Sequence, residues 1–472
     1  MISSQSRGVL AAPRLCGVMT RSDPPKRPCT SSHPRPHRRG DKAISGAEPR
    51  IVAAELVGAV LSDHRALDEA MAANRRFQRL PDRDRAFARL IVATVLRRRA
   101  GLDRAISGAL AKPLAPKAAP VMDVLRCGLA QVRYLDTPAY AAIGTSVAAI
   151  AALRLGGFKG LVNAILRRLS TSTASEPPRP AVEAPDWLFD RWARTFGTDT
   201  AHAITQAHLI EPPLDLTVSK ETTAADWATQ LGGTLLPTGA TVRRSIGGSI
   251  TALPGFGEGA WWVQDVGATL PARLLGTIND EAVLDLCAAP GGKTAQLAAA
   301  GAQVLAVDRS EDRLGVLRQN LRRLSLQAET QVADLTQWEP DRRYGHILLD
   351  APCTATGTIR RHPDLQWLKQ PKDVDALAGL QTTLLDRASR WLSPGGVLVW
   401  CTCSLEPEEG PDQIDRLLAR RSDMHREPIR AEEIGGWSEL LTGVGEVRSR
   451  PDQLAEFGGI DGFHISRLRK VA

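Results

Sequence analysis

Apolar residues in the first part of the chain recur with the spacing of helices. Between residues 51 and 169 they lie three and four positions apart, and this period predicts amphipathic helices. Strand signals are scarce there. Breaks at Pro81, Pro113 and Pro138 divide the stretch into about five to seven helices. We therefore predict a compact all-helical domain over residues 49–170.

Short apolar runs alternate with helical pattern in the C-terminal part of the chain. Alternation of this regularity predicts a doubly wound, mostly parallel sheet, and we place this α/β domain at residues 263–472. Ligands of such sheets bind outside the carboxyl ends of the strands. The predicted strands are residues 282–286, 304–307, 330–332, 346–349 and 397–400. The polar residues at their ends are Asp285, Asp308, Asp334, Asp350, Cys401 and Cys403.

Three other segments differ in composition from these two domains. Residues 1–48 are rich in Ser, Pro and Arg and predict a disordered basic tail, although a transit peptide or an over-extended gene start would look the same. Residues 171–185 predict a Ser/Thr/Pro linker. Residues 186–262 combine one amphipathic helix, predicted at residues 187–208, with short strand-like runs, and predict a small α+β module.

The composition narrows the class of protein. The 472 residues are 43% hydrophobic and contain no run of 18 apolar residues, so we expect no membrane span. The seven cysteines are odd in number and lack paired C-x-x-C spacing, which argues against a disulfide framework or a zinc site. A reducing cytoplasm is therefore the expected location, and no metal is expected.

The net charge of +8 is unevenly distributed. Residues 1–50 carry 10 Lys and Arg against 3 acidic residues, and residues 51–170 carry 19 against 9, so the rest of the chain is acidic overall. The excess of basic residues in the N-terminal part predicts that this part contacts a polyanion and that the C-terminal part performs the chemistry. The alternative is that the arginines lie on solvated helix faces.

The run at residues 283–297 predicts a strand, a tight glycine turn and the start of a helix. Glycines there let the backbone approach a ligand closely. A phosphate-binding P-loop would need glycine where Cys287 stands, and the dinucleotide spacing G-x-G-x-x-G is absent. Asp308 ends the next strand about 20 residues on, where a carboxylate suits ribose hydroxyls. S-adenosylmethionine therefore fits best, although Asp308 could also be only a helix cap.

Two strand ends carry cysteines that indicate a reaction. Cys353 closely follows the fourth predicted strand, and Cys401 and Cys403 follow the fifth. Methylation of a pyrimidine at C5 needs a thiolate that first adds to C6, because C5 is otherwise a poor nucleophile. Asp350 would hydrogen-bond the base edge and favour protonation at N3. Alternate residues share one face of a strand, so spacing cannot decide between Cys401 and Cys403; two inert buried cysteines are the alternative.

Three runs, taken in order, resemble the successive motifs of the bacterial RsmB/Sun RNA cytosine-5 methyltransferases: residues 286–294, 350–367 and 401–409. Residues 134–138 and 160–168 resemble the NusB-like RNA-binding domain of that family. The resemblance covers about residues 53–470. It implies an N-terminal all-α NusB-like domain and a Rossmann-like, S-adenosylmethionine-dependent methyltransferase domain. The implied substrate is a cytosine of small-subunit (16S) ribosomal RNA, presented unstacked, and we expect the enzyme to act as a monomer.

The resemblance also implies roles for single residues. The cysteine of its Thr-Cys-Ser motif, here Cys403, is the nucleophile, and Cys353 assists release of the methylated base. Together with Asp350 these are the predicted catalytic residues. The implied cofactor contacts are Cys287, Ala288, Ala289, Pro290, Gly291, Gly292, Lys293, Asp308, Asp334 and Asp350. A catalytically idle RNA-binding assembly factor is the alternative, which retention of both cysteines disfavours.

Several basic residues are candidate RNA contacts. Arg360, Arg361 and His362 lie in the loop after Cys353 and would bind phosphates, and the helix-closing pair Arg167 and Arg168 would do the same. The alternative is that loop arginines are merely exposed. Trp367 is a candidate for stacking on a base.

The chain departs from the family pattern at a few positions. Thr354-Ala355 stands where the family usually has Ser-Gly, and His464 replaces a common Phe. Cys401 is also atypical, and we interpret it as core packing. These departures leave open which cytosine, or which RNA, is the target.

Overall fold

The structure is a computed structural model that describes residues 46–171, 182–245 and 247–472. Nearly all of the predicted tail, residues 1–48, and most of the predicted linker, residues 171–185, lie outside the described residues. Within the described ranges, no helix has the length and apolar character needed to cross a membrane.

The N-terminal part is all-helical, as predicted. Its helices pack through aliphatic faces; α4, for example, buries Ala88, Ile91, Val92 and Val95. Its α-helices number eight rather than five to seven, because short helices such as α2 and α3 are separated only by Asn74 and leave too little sequence for a period. The eight are α1 (Glu48–Leu61), α2 (Leu67–Ala73), α3 (Arg75–Arg79), α4 (Asp82–Arg97), α5 (Arg99–Ala109), α6 (Ala119–Tyr134), α7 (Ala139–Ala152) and α8 (Lys159–Thr171).

A smaller α+β stretch follows. The single helix predicted at residues 187–208 is wrong, because Gly197 has φ +88° and splits it into two helices. The strands form an antiparallel sheet in the order β2-β3-β1-β4. The elements are α9 (Asp186–Phe196), α10 (Thr198–Ala207), β1 (Leu214–Val218), α11 (Ala224–Gln230), β2 (Thr234–Leu235), β3 (Thr241–Arg244) and β4 (Trp261–Val263).

The C-terminal part contains a mostly parallel sheet, as predicted. All five predicted strands are present, in the order β7-β6-β5-β8-β9, and the antiparallel strands β12 and β10 extend the sheet beyond β9. The strands are β5 (Ala282–Leu286), β6 (Gln303–Asp308), β7 (Glu329–Val332), β8 (Tyr344–Asp350), β9 (Leu392–Thr402), β10 (Met424–Arg426), β11 (Val447–Arg448) and β12 (His464–Lys470). The helices are α12 (Val266–Arg273), α13 (Gly292–Ala299), α14 (Glu311–Leu324), α15 (Leu365–Leu368), α16 (Pro371–Trp391) and α17 (Pro411–Arg420).

Helices cover both faces of this sheet. Alternate strand residues pack against α12, α13 and α14 on one face, and against α16 and α17 on the other. Because β5 lies between β6 and β8, the chain changes direction across the sheet there, and ligands of such folds bind at that switch point. The register places Asp350 of β8 directly opposite Cys401 of β9.

The helical part packs on the loop that follows Cys353. The carbonyl of Leu96, near the end of α4, accepts hydrogen bonds from Trp367 Nε1 at 2.8 Å and from Gln366 Nε2 at 3.2 Å. Arg97 Nη2 donates to the carbonyl of Arg360 at 3.0 Å. This junction joins the N-terminal helices to the segment that follows Cys353.

Candidate active site

The glycine turn lies at the carboxyl end of β5, where the sequence predicted it. Cys287 has φ +60°, and Gly291 has φ +103° and caps α13. A Cβ atom on Gly291 would lie 2.6 Å from Cγ of Leu317, so only glycine fits here. The Ala289 N–H donates to Asp308 Oδ2 at 3.1 Å. The turn is thereby fixed against α14 and β6.

A buried carboxyl group supports the turn from below. Asp285, on β5, is fully buried, and the Thr294 hydroxyl donates to its Oδ2 at 2.6 Å. Burial raises the pKa of Asp285 to about 7, against the opposing effect of the Thr294 hydrogen bond. Its other oxygen, Oδ1, has no hydrogen-bond partner among the residues that the structure describes. The sequence marked Asp285 as a polar strand end but gave it no role.

Three further carboxylates follow successive strands of the sheet. Asp308 is buried and also accepts from the Ser310 N–H at 3.0 Å. Asp334 is exposed, and hydrogen bonds from the Thr336 N–H and hydroxyl lower its pKa. Asp350 Oδ2 accepts from Lys293 Nζ at 2.7 Å. Acidic side chains beside a glycine turn suit the hydroxyl and ammonium groups of S-adenosylmethionine and repel polyphosphates, and the unpartnered Asp285 oxygen is also consistent with a polar ligand.

Lys293 is a cation held within this acidic edge. Burial opposes its charge, but the charge of Asp350 and its hydrogen bond to Lys293 are the main effects that outweigh burial, so the pKa of Lys293 is raised. Its Nζ also lies 5.4 Å from the ring centroid of Phe463. The side chain is therefore charged at neutral pH and fixed between two strands.

The structure brings Cys353 and Cys403 together. Their Sγ atoms are 3.5 Å apart, within hydrogen-bonding distance for sulfur, and both residues are half-buried. The hydrogen bond to Cys403, with burial as the next largest effect, raises the pKa of Cys353 well above the ordinary thiol value. Cys353 is therefore protonated at neutral pH.

Cys401 lies in a different environment from Cys403. It is fully buried in the core on the α12 face of the sheet, and its Sγ donates to Asp350 Oδ1 at 3.3 Å. Burial, followed by the charge of Asp350, raises the pKa of Cys401 well above the ordinary value. A buried neutral thiol is chemically inert, so the geometry separates two residues that spacing alone could not.

The residues that depart from the family pattern fit their local surroundings. Ala355 has φ +58°, a left-handed conformation that glycine adopts at no steric cost, which accounts for the usual glycine at this position. The Thr354 hydroxyl donates to Glu409. His464 Nε2 lies 3.0 Å from Glu446 Oε2, and both side chains are buried.

Arg360 does not face an RNA-binding surface. Its side chain is buried, with Nη2 2.8 Å from Asp265 Oδ2 and Nε 2.8 Å from Asp461 Oδ1. Arg361 is half-buried and also pairs with Asp461. The predicted phosphate contact is therefore wrong for Arg360, because two interior carboxylates already bind its guanidinium. His362 is exposed and stays a prediction.

The other candidates for RNA contact also differ in their exposure. Arg167 and Arg168 are exposed on α8, in the helical part, and stay predictions. Trp367 is half-buried at the junction with α4, where the guanidinium of Arg99 lies 4.4 Å from its ring centroid. Its N–H bonds the Leu96 carbonyl and the Arg99 guanidinium lies over its ring, while base stacking by Trp367 stays a prediction.

The sequence reasoning missed one residue that contacts both cysteine loops. Glu409 is buried and hydrogen-bonds Thr354 and Ser404, the residues that follow Cys353 and Cys403. The last motif contains three glutamates, Glu406, Glu408 and Glu409, and the sequence could not show which of them contacts both cysteine loops.

Fold and site together define an S-adenosylmethionine-dependent methyltransferase. A sequence model described as 16S rRNA methyltransferase RsmB/F matches residues 272–469, and one for the NusB family matches residues 47–171. The chain is 36% identical over 391 residues to the ribosomal RNA small subunit methyltransferase B of Klebsiella pneumoniae subsp. pneumoniae, covering 79% of this chain and 90% of that protein. The chain belongs to the ribosomal RNA small subunit methyltransferase B family.

Solved structures share the fold. The crystal structure of PH0851 aligns with a TM-score of 0.73 at 21% identity, covering 90% of this chain and 99% of that one. That of NSun6 from Pyrococcus horikoshii with SFG aligns with a TM-score of 0.52 at 19% identity, covering 61% of this chain and 98% of that one. The first of these likenesses extends over nearly the whole chain and not only the methyltransferase sheet.

Proposed function

We propose that the protein methylates C5 of a cytosine in small-subunit 16S ribosomal RNA, with Cys403 as nucleophile and Cys353 assisting release. The observation that carries the proposal is the pair of thiols 3.5 Å apart, beside the cofactor turn. Methylation of an exocyclic amine or a ring nitrogen needs no thiol, whereas methylation at C5 needs one.

The chain's own residues divide the reaction between them. The sulfur of Cys403 bonds to C6 of the ring and raises the electron density at C5. S-adenosylmethionine supplies the methyl group, which C5 accepts. The C5 proton then passes to solvent, its bonding electrons re-form the C5=C6 double bond, and the C6–S bond breaks with its electron pair on sulfur, which returns Cys403 as a thiolate. Cys353, with its Sγ next to that sulfur, is placed to assist this elimination.

The environments of the three thiols support this division. The pKa values of Cys353 and Cys401 are both raised well above the ordinary value, by the Cys403 hydrogen bond in one case and by burial in the other. Thiols that stay protonated are poor nucleophiles. Of the two thiols at the carboxyl end of β9, Cys403 is half-buried whereas Cys401 is fully buried, which favours Cys403 over Cys401 for attack.

Asp350 would hold the base. Its oxygens accept from Lys293 and Cys401, and each carboxylate oxygen can accept a second hydrogen bond. A bond from protonated N3 of the cytosine would make C6 more electrophilic. Lys293 fixes the carboxylate in position for that contact.

We further propose that the enzyme acts as a monomer. A ribosomal RNA substrate also supports the cytoplasmic location predicted from the cysteines.

Nucleoside analysis tests the proposal. Ribosomal RNA from a strain that lacks the protein is incubated with the enzyme and S-adenosylmethionine labelled in its methyl group, then digested to nucleosides. We expect the label in 5-methylcytidine from 16S RNA. Label in 5-methyluridine or in an N-methylated nucleoside would overturn the proposal, and absence of label would favour the idle assembly factor.

A further inference from the structure

One carboxylate connects the two cysteine loops. The Thr354 N–H donates to Glu409 Oε1 at 2.9 Å and to Oε2 at 3.2 Å, and the Thr354 hydroxyl also donates to Oε2. The Ser404 hydroxyl donates to the same Oε2 at 2.6 Å. Glu409 thus binds the residue after Cys353 and the residue after Cys403.

Further hydrogen bonds fix Glu409 itself. Gln381 Nε2, from α16, donates to Oε1 at 3.2 Å and to the carbonyl of Pro352 at 2.8 Å. The Thr402 hydroxyl donates to the Glu409 carbonyl at 2.8 Å. Glu409 is fully buried. A buried carboxylate is costly unless it is hydrogen-bonded, and here four donor groups converge on it from the two loops and α16.

We propose that Glu409 is a positioning residue that sets the relative placement of the Cys353 and Cys403 thiols. It does not touch the reacting atoms; it acts through Thr354 and Ser404. The proposal deepens the proposed function, on which it rests for the roles of the two thiols.

The reaction needs this placement because the two sulfurs act at adjacent ring carbons. Cys403 bonds to C6, and Cys353 assists as the proton leaves C5, so an error in their separation leaves one of them out of reach. Misplacement of about 1 Å can slow an enzymatic step about 100-fold. Glu409 ties the two loops together from within the protein, where substrate does not compete for its oxygens.

Thiol cross-linking measures the placement without RNA. Diamide removes two electrons and two protons from a pair of thiols and is reduced to its hydrazine, while the thiols form a disulfide. The Sγ atoms must close from 3.5 Å to about 2.05 Å. We expect the parent chain to form the Cys353–Cys403 disulfide rapidly, and Glu409→Ala to form it at least about tenfold more slowly, as measured by peptide mass spectrometry.

Kinetics with RNA give the second measurement. We expect Glu409→Ala to lower kcat about 100-fold while the affinity for S-adenosylmethionine stays unchanged. Glu409→Gln keeps one carbonyl oxygen for Thr354 N–H, and the Thr354 and Ser404 hydroxyls can rotate to accept from its amide. It should therefore restore both the disulfide rate and most of kcat, which a loss of general stability would not explain.

Glu408→Ala is the matched control. Its carboxylate pairs with Arg191 at 2.6 Å, so the substitution removes a neighbouring glutamate that holds neither cysteine loop. Should Glu409→Ala fail to fold, the double substitution Thr354→Val and Ser404→Ala removes the two hydroxyl donors to Glu409 and leaves the Thr354 N–H bond. Because it frees the Ser404 side of the contact, it should also slow disulfide formation and lower kcat.

The outcomes separate the two proposals. Cross-linking of Glu409→Ala at the parental rate, or equal slowing in Glu408→Ala, would overturn the role of Glu409. Slow cross-linking in Glu409→Ala together with a parent that does not methylate C5 would support the placement and overturn the proposed function.

Discussion

Single residues show how the family motif tolerates change. His464 replaces a common aromatic residue, yet it is buried without an unpaired charge because it faces Glu446, which also pairs with Arg426 at 2.9 Å. Burial opposes ionisation of Glu446, but its bonds to His464 and Arg426 outweigh that effect and lower its pKa to about 2. The substitution is therefore compensated by neighbours and not merely tolerated.

The first prediction concerns this pair. His464→Phe should destabilise the protein at pH 7 by ~1–3 kcal/mol, because Glu446 loses a buried partner. The folded pKa of Glu446 is lowered from 4.5, so its contribution to stability is present above about pH 4.5 and is lost as the pH falls towards 2. Urea unfolding at a series of pH values should show the difference between parent and variant shrinking over that range.

Glu446→Gln supplies the control for this prediction. In the double variant with His464→Phe, the two effects should not add, because they remove one interaction. Additive losses would mean that the histidine packs without pairing.

At the scale of elements, the apolar runs predicted the sheet well. All five predicted strands form, and four of them, β5, β6, β8 and β9, are buried apolar runs of the kind that leaves a clear signal. The fifth, β7, is a mostly exposed strand at the edge of the sheet. The break at Gly197 was missed, since a glycine inside an amphipathic pattern does not by itself distinguish a kink from a tolerated residue. The burial of Arg360 could not be foreseen, because Asp265 and Asp461 lie 95 and 101 residues away in the chain.

The candidate site also has parts that the sequence could predict and parts that it could not. The glycine turn and the two cysteine loops could be predicted because each is a short continuous motif. Glu409 could not be assigned, because its role depends on which way its side chain points after the strands are assembled. For Cys401 the spacing left two roles open, and only the resemblance indicated the core packing that the structure shows. Local pattern therefore predicts the pieces, and only tertiary contacts fix their orientation.

The end of α10 carries the second prediction. His208 is fully buried beside Trp192, and burial, followed by the charges of Arg360 and Arg97, lowers its pKa to about 3. The unfolded chain binds a proton near pH 6.5 that the folded chain does not, so stability is full above that pH and falls as the pH drops towards 3. Between pH 7 and pH 5 this group alone should remove about 2 kcal/mol.

His208→Leu tests this assignment by urea unfolding. The variant should lose less stability than the parent between pH 7 and pH 5, because the group that takes up the proton is gone. Parallel pH profiles of the two proteins would show that His208 is not the residue responsible.

At the scale of the whole molecule, hydrogen bonds join the helical part to the loop that follows Cys353. Leu96, Trp367, Arg97 and Arg360 form the contact, and the loop begins only a few residues after Cys353. Basic residues on the helical side, such as Arg167 and Arg168, would place RNA on a body that is fixed to the site. The excess of basic residues in the N-terminal part would then hold RNA close to the cysteine site.

Loosening this junction is the third prediction. Trp367→Phe removes the indole N–H donor to Leu96 but keeps the ring under Arg99, and should cost about 0.5–1.5 kcal/mol of stability. It should lower kcat on ribosomal RNA and leave the affinity for S-adenosylmethionine unchanged. Trp338→Phe, away from the junction, is the control; a loss of cofactor affinity without a loss of kcat in Trp367→Phe would contradict the expected coupling.

Trapping of the covalent intermediate tests the central claim most directly. Each variant is incubated with labelled 16S RNA and S-adenosylmethionine and then separated in denaturing detergent. Cys353→Ala should accumulate a protein–RNA adduct, because Cys403 can still bond to C6 while release is impaired. Cys403→Ala should form none. An adduct in Cys403→Ala and none in Cys353→Ala would contradict the assignment of Cys403 as the nucleophile.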